Sequence, residues 1–169
     1  MCGIVGYIGN KNAQDFLISG LKRLEYRGYD SAGIATIDEK SQTLLRSKGK
    51  INNLEEKVSK NKREDHIGIG HTRWATHGEP SEINAHPHQA GDIYLVHNGI
   101  IENYKALKRK LEKSHKFASD TDSEVLAALV NSFYQDGKYP LANAVTQALK
   151  LVEGTYGIAV ISKQNPNRI

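Results

Sequence analysis

Apolar positions along this chain follow two rhythms, one of period two and one of helical spacing. Ile4 to Ile8 is short, apolar and rich in β-branched residues, which predicts a strand and places Cys2 at its end. Ile34 to Ile37 and Thr43 to Arg46 read as paired strands around the polar turn Asp38-Glu39-Lys40-Ser41. Ile67 to His71 is a strand with two glycines, Gly68 and Gly70, which weaken it unless another backbone or a ligand comes close. Ile93 to His97 and Tyr156 to Ile161 are further strands.

Between them lie helical patterns. Asn12 can cap a helix with apolar positions Ala13, Phe16, Leu17, Leu21 and Leu24, ending near Arg27-Gly28. Gly20 falls on that face, which suggests close packing there. Leu54 and Val58 mark a short exposed helix, followed by a charged loop from Lys60 to Asp65. Tyr104, Leu107 and Leu111 mark another helix. Thr121-Asp122-Ser123-Glu124 is a capping box opening a helix with Val125, Ala128, Leu129 and Phe133, which stops at Gly137. A last helix carries Leu141, Ala144, Val145, Ala148 and Val152 and ends at Gly154. Strands come in pairs and helices follow one another late in the chain. That order disfavours a parallel doubly wound sheet and predicts an α+β fold of antiparallel sheets covered by helices.

Composition narrows the class. A chain of 169 residues, 38% hydrophobic and 25% charged, has the size and balance of one soluble globular domain, residues 1–169. A single cysteine excludes an internal disulfide framework and gives little support to a thiolate metal site. The net charge of +4 is spread among interspersed acids and bases, with no basic stripe of the kind nucleic acid requires. Nothing in the sequence resembles a signal peptide, since Ile4 to Ile8 is too short and lacks a basic lead, and no apolar run approaches the roughly 20 residues of a membrane span. A cytoplasmic protein with no nucleic-acid or membrane partner is expected.

The lone cysteine is the strongest chemical signal. If Met1 is removed, Cys2 carries both a thiol and a free α-amine. An α-amine has a pKa of about 7.7–8.0 and a thiol about 8.5, so the amine can take the thiol's proton. One residue then supplies nucleophile and base. The plain alternative is an inert packed cysteine.

Four other stretches carry polar residues in unusual strings. Tyr26 to Gly33 reads as a built loop, or as a helix end and a turn. Thr72 to Pro80, which holds the only tryptophan, reads as a substrate loop. Asn98-Gly99 suits a hairpin turn, although no matching strand follows it. Asp122 sits in the first turn of its helix, where an acid also serves the helix dipole. Six of the seven histidines lie between His66 and His97. Their spacing has no metal-ligand pattern such as H-x-x-x-H on a helix, so they are read as shaping a pocket, with no metal or cofactor.

Met1 to Gly6, Tyr26 to Gly33, His71 to Gly78, Asn84 to His88, His97 to Asn103 and Thr121 to Glu124, taken in order, resemble the class II, N-terminal-nucleophile glutamine amidotransferases. Within that class they are most similar to the glutaminase domains of the glucosamine-6-phosphate synthase family, which use glutamine and fructose 6-phosphate. The resemblance covers nearly the whole chain. It implies a four-layer αββα sandwich of the N-terminal-nucleophile hydrolase type. It implies that Cys2 attacks the side-chain amide of L-glutamine, giving a glutamyl thioester and ammonia. Asn98 and Gly99 would form the oxyanion hole, and Arg27 would order the site beside Cys2. Arg73 would grip the substrate carboxylate and Asp122 its ammonium, with Asp120 as the other candidate. Trp74, Thr76, His77 and His86 would line the glutamine pocket. No metal and no cofactor are implied.

Members of that family continue into a sugar-isomerase half that binds fructose 6-phosphate, and the full enzyme is expected to be a homodimer. This chain stops at Ile169, after a strand, as an excised domain or a partial sequence would. Alone it is expected to hydrolyse glutamine. Two other readings stand beside this one: the glutaminase domain of another class II enzyme such as an amidophosphoribosyltransferase, and a binding module without catalysis.

Overall fold

The computed structural model describes residues 2–38, 41–75, 78–135 and 139–169. The elements in order are β1 (Gly3–Ile8), α1 (Ala13–Lys22), a 3-10 turn (Glu25–Arg27), β2 (Ser31–Ile37) and β3 (Gln42–Lys48). They continue with α2 (Ile51–Lys60), β4 (Ile67–Arg73), β5 (His88–Ala90), β6 (Ile93–Ile101), α3 (Tyr104–Leu111), α4 (Asp122–Gln135), α5 (Leu141–Leu149) and β7 (Gly154–Ser162). One sheet has the order β1-β4-β2-β3 and the other β5-β6-β7. All the pairings are antiparallel.

Three separate apolar clusters show why these strands stack. Leu17, Ile18 and Leu21 of α1 and Leu54 and Val58 of α2 pack on Ala32 and Ile34, the outward face of the first sheet. The alternate positions of β2, Ala35 and Ile37, with Ile67 and Ile69 of β4, face Tyr94, Val96 and Ile161 of the second sheet. Ile93, Leu95, Ile101 and Val160 turn the other way, onto α3, α4 and α5. Alternation along each strand therefore feeds two cores, as period two requires. The result is a helix–sheet–sheet–helix sandwich, the expected α+β fold. Each fully buried Leu or Ile in it contributes about 1.5–3 kcal/mol of burial.

Local signals behaved well where they were local. The Asn12 side chain accepts from Asp15 N–H at 3.2 Å, as an N-cap should. At Gly68 an added Cβ would lie 2.7 Å from the Ala35 carbonyl and 2.8 Å from Leu17, so the strand glycine admits α1 and the neighbouring strand. The capping box is half made: Glu124 N–H reaches Thr121 Oγ1 at 3.2 Å, but the Glu124 carboxylate turns back to Ala118 N–H at 2.9 Å and Ser119 N–H at 2.6 Å.

Several boundaries moved. Ser31 to Gly33 belongs to β2, Thr72 and Arg73 to β4, and Asn98-Gly99 lies inside β6, opposite Gly157 and Tyr156 of β7. Asn98-Gly99 is thus no hairpin turn: its partner strand comes from the chain's far end. Phe16 is 43% exposed and stacks on Tyr7 with the ring centroids 4.3 Å apart, outside the core. The α2 helix buries Ile51, Leu54 and Val58 and is not merely exposed. Gly154 opens β7, and α5 ends earlier, at Leu149. β5, three residues long, gave no readable pattern. Glu39, Lys40 and Gly137, read as turn and helix end, lie outside the described residues. Among the described residues no helix is long and apolar enough to cross a membrane.

Candidate active site

Strand register gathers the site. Gly3 pairs with Thr72 and Ser31 with Arg73, so the start of β1, the end of β4 and the start of β2 meet at one edge of the first sheet. Cys2 stands just before β1. Its sulfur accepts from Trp74 N–H at 3.2 Å and its S–H faces the Trp74 carbonyl at 3.6 Å. Asp30 braces the same segment. Its N–H donates to Arg73 O at 2.8 Å, its carboxylate accepts Ala75 N–H, and Ser31 Oγ donates to it at 2.9 Å.

The opposite wall comes from the second sheet and α4. Asn98 Nδ2 donates to the Cys2 carbonyl at 3.4 Å, and Asn98 Oδ1 lies 2.6 Å from His71 Nε2. Gly99 follows with φ of 133°, and a Cβ there would come within 1.9 Å of the Thr155 carbonyl. Only glycine fits that close approach and that backbone angle. Asp122 opens α4 and is buried; its Oδ2 accepts Ile101 N–H at 2.9 Å.

These walls enclose a cleft of about 590 Å³. That space suits a small metabolite. Cys2, Arg27, Arg73, Trp74, His86, Asn98, Gly99 and Asp122 all line it. Trp74 stands at its mouth, 54% exposed. Arg27 lies over the Tyr26 ring, 5.7 Å from its centroid. Arg73 is buried and Nη2 donates to Gly78 O at 3.2 Å. Burial draws its pKa down, opposed by Asp30, Cys2 and Asp122, which places negative or acidic groups around this buried guanidinium. Thr76 and His77 lie outside the described residues. Asp120 is exposed, its N–H donating to Asn84 Oδ1 at 3.1 Å, and is not among the lining residues. Of the two aspartates, Asp122 is the one in the cleft.

The histidines form a buried stack that reaches the cleft wall at His71 and His86. His71 and His86 rings lie 4.3 Å apart, and His86 meets His88 edge-on at 4.7 Å. Burial is the main cause that lowers all three pKa values, to about 4 for His71, about 3 for His88 and well below the usual value for His86. All three are therefore neutral at pH 7. His88 Nε2 contacts Thr121 Oγ1 at 2.9 Å, and His97 Nδ1 contacts Ser123 Oγ at 2.8 Å. Among the described residues no group of three or more His, Cys, Asp or Glu is placed to hold a metal ion.

Asp30, His71, Ser123 and Thr155 take parts that the sequence reading did not assign. Asp30 and His71 stood inside recognised strings, so their setting was visible but their partners were not. Thr155 bears on the site through its backbone carbonyl, which no side-chain pattern reports.

Comparison with known proteins adds independent support. The family model described as a glutamine amidotransferase domain matches residues 32–167. Over its whole length the chain is 53% identical to a glutamine–fructose-6-phosphate aminotransferase (isomerizing) of Chlorobaculum tepidum and 52% identical to that of Caldanaerobacter subterraneus. It spans 28% of the length of each. Among solved structures, a glutamine phosphoribosylpyrophosphate amidotransferase from B. subtilis shares 27% identity with a TM-score of 0.80, covering 96% of this chain and 35% of that one. An allosteric regulatory enzyme of purine biosynthesis matches with a TM-score of 0.81 at 27% identity, over 96% of this chain and 36% of its own.

Proposed function

The chain belongs to the glutamine amidotransferase family, and from that premise we propose that its cleft releases ammonia from L-glutamine through a thioester on Cys2. One observation carries this reading: a thiol, an amide donor, a buried guanidinium and a buried carboxylate share a single cleft. In the proposed reaction Met1 has been removed, and the α-amine of Cys2 takes the thiol proton. The sulfur attacks the side-chain carbonyl of glutamine and a tetrahedral oxyanion forms. Asn98 Nδ2 and Gly99 N–H stabilise it; one such donor is worth about 2.7–4 kcal/mol of barrier. The C–N bond breaks as the α-amine's proton passes to nitrogen, and ammonia leaves. Water then attacks the thioester, its proton going to the same amine, and glutamate and the thiol are regenerated.

Arg73 holds the substrate carboxylate in this reading, where a planar fork discriminates well. Asp122 holds the α-ammonium. Arg27, Trp74 and His86 line the pocket, and Thr76 and His77 are proposed as further glutamine-binding residues. The longer relatives are named for fructose 6-phosphate, and we extend the proposal to the complete protein: ammonia passes to that sugar in a further domain, and the complete enzyme is a homodimer. The test is product analysis on the complete protein. Glutamate should form from glutamine alone, and an amino sugar phosphate only when fructose 6-phosphate is added. Consumption of phosphoribosyl pyrophosphate instead would favour the enzyme type of the solved neighbours. No glutamate at all would sink the reading.

A further inference from the structure

We propose that His71 is a positioning residue, held as its Nε2–H tautomer, that orients the Asn98 amide so that its NH₂ faces Cys2. The inference rests on the reading of Asn98 as an oxyanion donor. Three observations carry it.

His71 Nε2 and Asn98 Oδ1 are 2.6 Å apart, and the imidazole is completely buried. An amide oxygen only accepts, so the proton between them must sit on Nε2. The other tautomer would set two lone pairs face to face.

The second observation fixes the amide's other end. Asn98 Nδ2 points to the Cys2 carbonyl at 3.4 Å. A flipped amide would place oxygen against that carbonyl and NH₂ against an N–H. Both contacts would then repel. His71 and Cys2 therefore select one orientation of a group that could otherwise take two.

The third is rigidity. His71 packs on His86, which packs on His88, which meets Thr121 beside Asp122. The stack joins the amide wall to the start of α4 without any charged member at neutral pH, because burial keeps each ring neutral. An oxyanion donor works only if it is aimed before charge develops, and this stack aims it.

The experiment is a double-mutant cycle on the complete protein. His71→Phe keeps a ring but removes the N–H. We expect kcat for glutamine hydrolysis to fall about ten- to a hundredfold with KM within about twofold, since the interaction acts only on the transition state. Asn98→Ala should lose about a hundred- to a thousandfold. The double variant should be no slower than Asn98→Ala alone. Unchanged kcat in His71→Phe, or losses that multiply in the double variant, would overturn the proposal. If His71→Phe does not fold, the tautomer in the unsubstituted protein decides: nitrogen NMR should show Nε2–H and a bare Nδ1, and an Nδ1–H overturns it. A protein that releases no glutamate defeats the glutaminase reading instead, and the tautomer still tests the geometry.

Discussion

The backbone N–H of Trp74 points at the sulfur of Cys2 across 3.2 Å. These residues are 72 positions apart, and the register of β1 against β4 brings them together. Because the contact is to backbone, it depends on how the segment after β4 is held, not on the indole. Asp30 holds it, through Arg73 O on one side and Ala75 N–H on the other.

Asp30→Ala should therefore damage a site it does not line. We expect a loss of about 1 kcal/mol in unfolding free energy, the usual net worth of a hydrogen bond to a half-buried partner. Glutaminase activity should fall by more than tenfold, as the sulfur loses its fixed neighbour. Urea unfolding and glutamate release on one preparation check both; full activity in Asp30→Ala would show that the brace is dispensable.

Gly99→Ala tests the other wall. A methyl group there meets the Thr155 carbonyl at 1.9 Å while the backbone keeps a φ of 133°. Such strain costs about 1–3 kcal/mol before the clash is counted, and β6 must pull away from β7 to relieve it. We expect a lower melting temperature and a loss of glutaminase beyond about a hundredfold. A variant as stable and active as the parent would mean that this backbone moves freely.

Whether these features could be read in advance depended on how far apart their partners lie. The N-cap at Asn12 and the buried positions Ala13, Leu17 and Leu21 of α1 are local and were legible, whereas Phe16 left the core and the helix stopped at Lys22, short of the expected end near Arg27-Gly28. Asn98-Gly99 was ambiguous because the strand that converts it from turn to ladder begins only at Gly154. Thr72 and Arg73 read as loop because they are polar, yet β1 and β2 flank them and supply the ladder. Position singled out Cys2 as a candidate nucleophile beside the plain alternative of a packed cysteine, and only the accompanying motifs favoured the first. The pairing of His71 with Asn98 was not, since it spans 27 residues and two sheets.

Glu124 links stability to pH. Burial alone would raise its pKa, but hydrogen bonds from Ser119, Ala118 and His115 outweigh that and bring it below the ordinary 4.5. A depressed carboxyl stabilises the fold above the unfolded pKa and loses that contribution as pH falls through the folded value. Glu124→Gln should thus cost about 1–3 kcal/mol at pH 7. The gap from the parent should close as pH drops below 4.5. Denaturant melts at several pH values measure it, and a gap that stays constant into acid would contradict the assignment.

Arg73→Lys probes the substrate's carboxylate. Lysine keeps the charge but loses the two-pronged geometry. We expect KM for glutamine to rise about tenfold or more, with a smaller change in kcat, since a charge-assisted pair is worth about 1.5–3 kcal/mol. Steady-state kinetics with glutamine settle it. An unchanged KM would place the carboxylate elsewhere in the cleft.

The central claim is that Cys2, as the mature amino terminus, is the nucleophile of this cleft. Intact mass before and after exposure to a glutamine-like electrophile, such as a diazo-ketone analogue, tests it most directly, with Cys2→Ala alongside. The account predicts loss of Met1 and one stoichiometric adduct that Cys2→Ala abolishes and excess glutamine slows. Retention of Met1, or equal labelling of parent and variant, would contradict it.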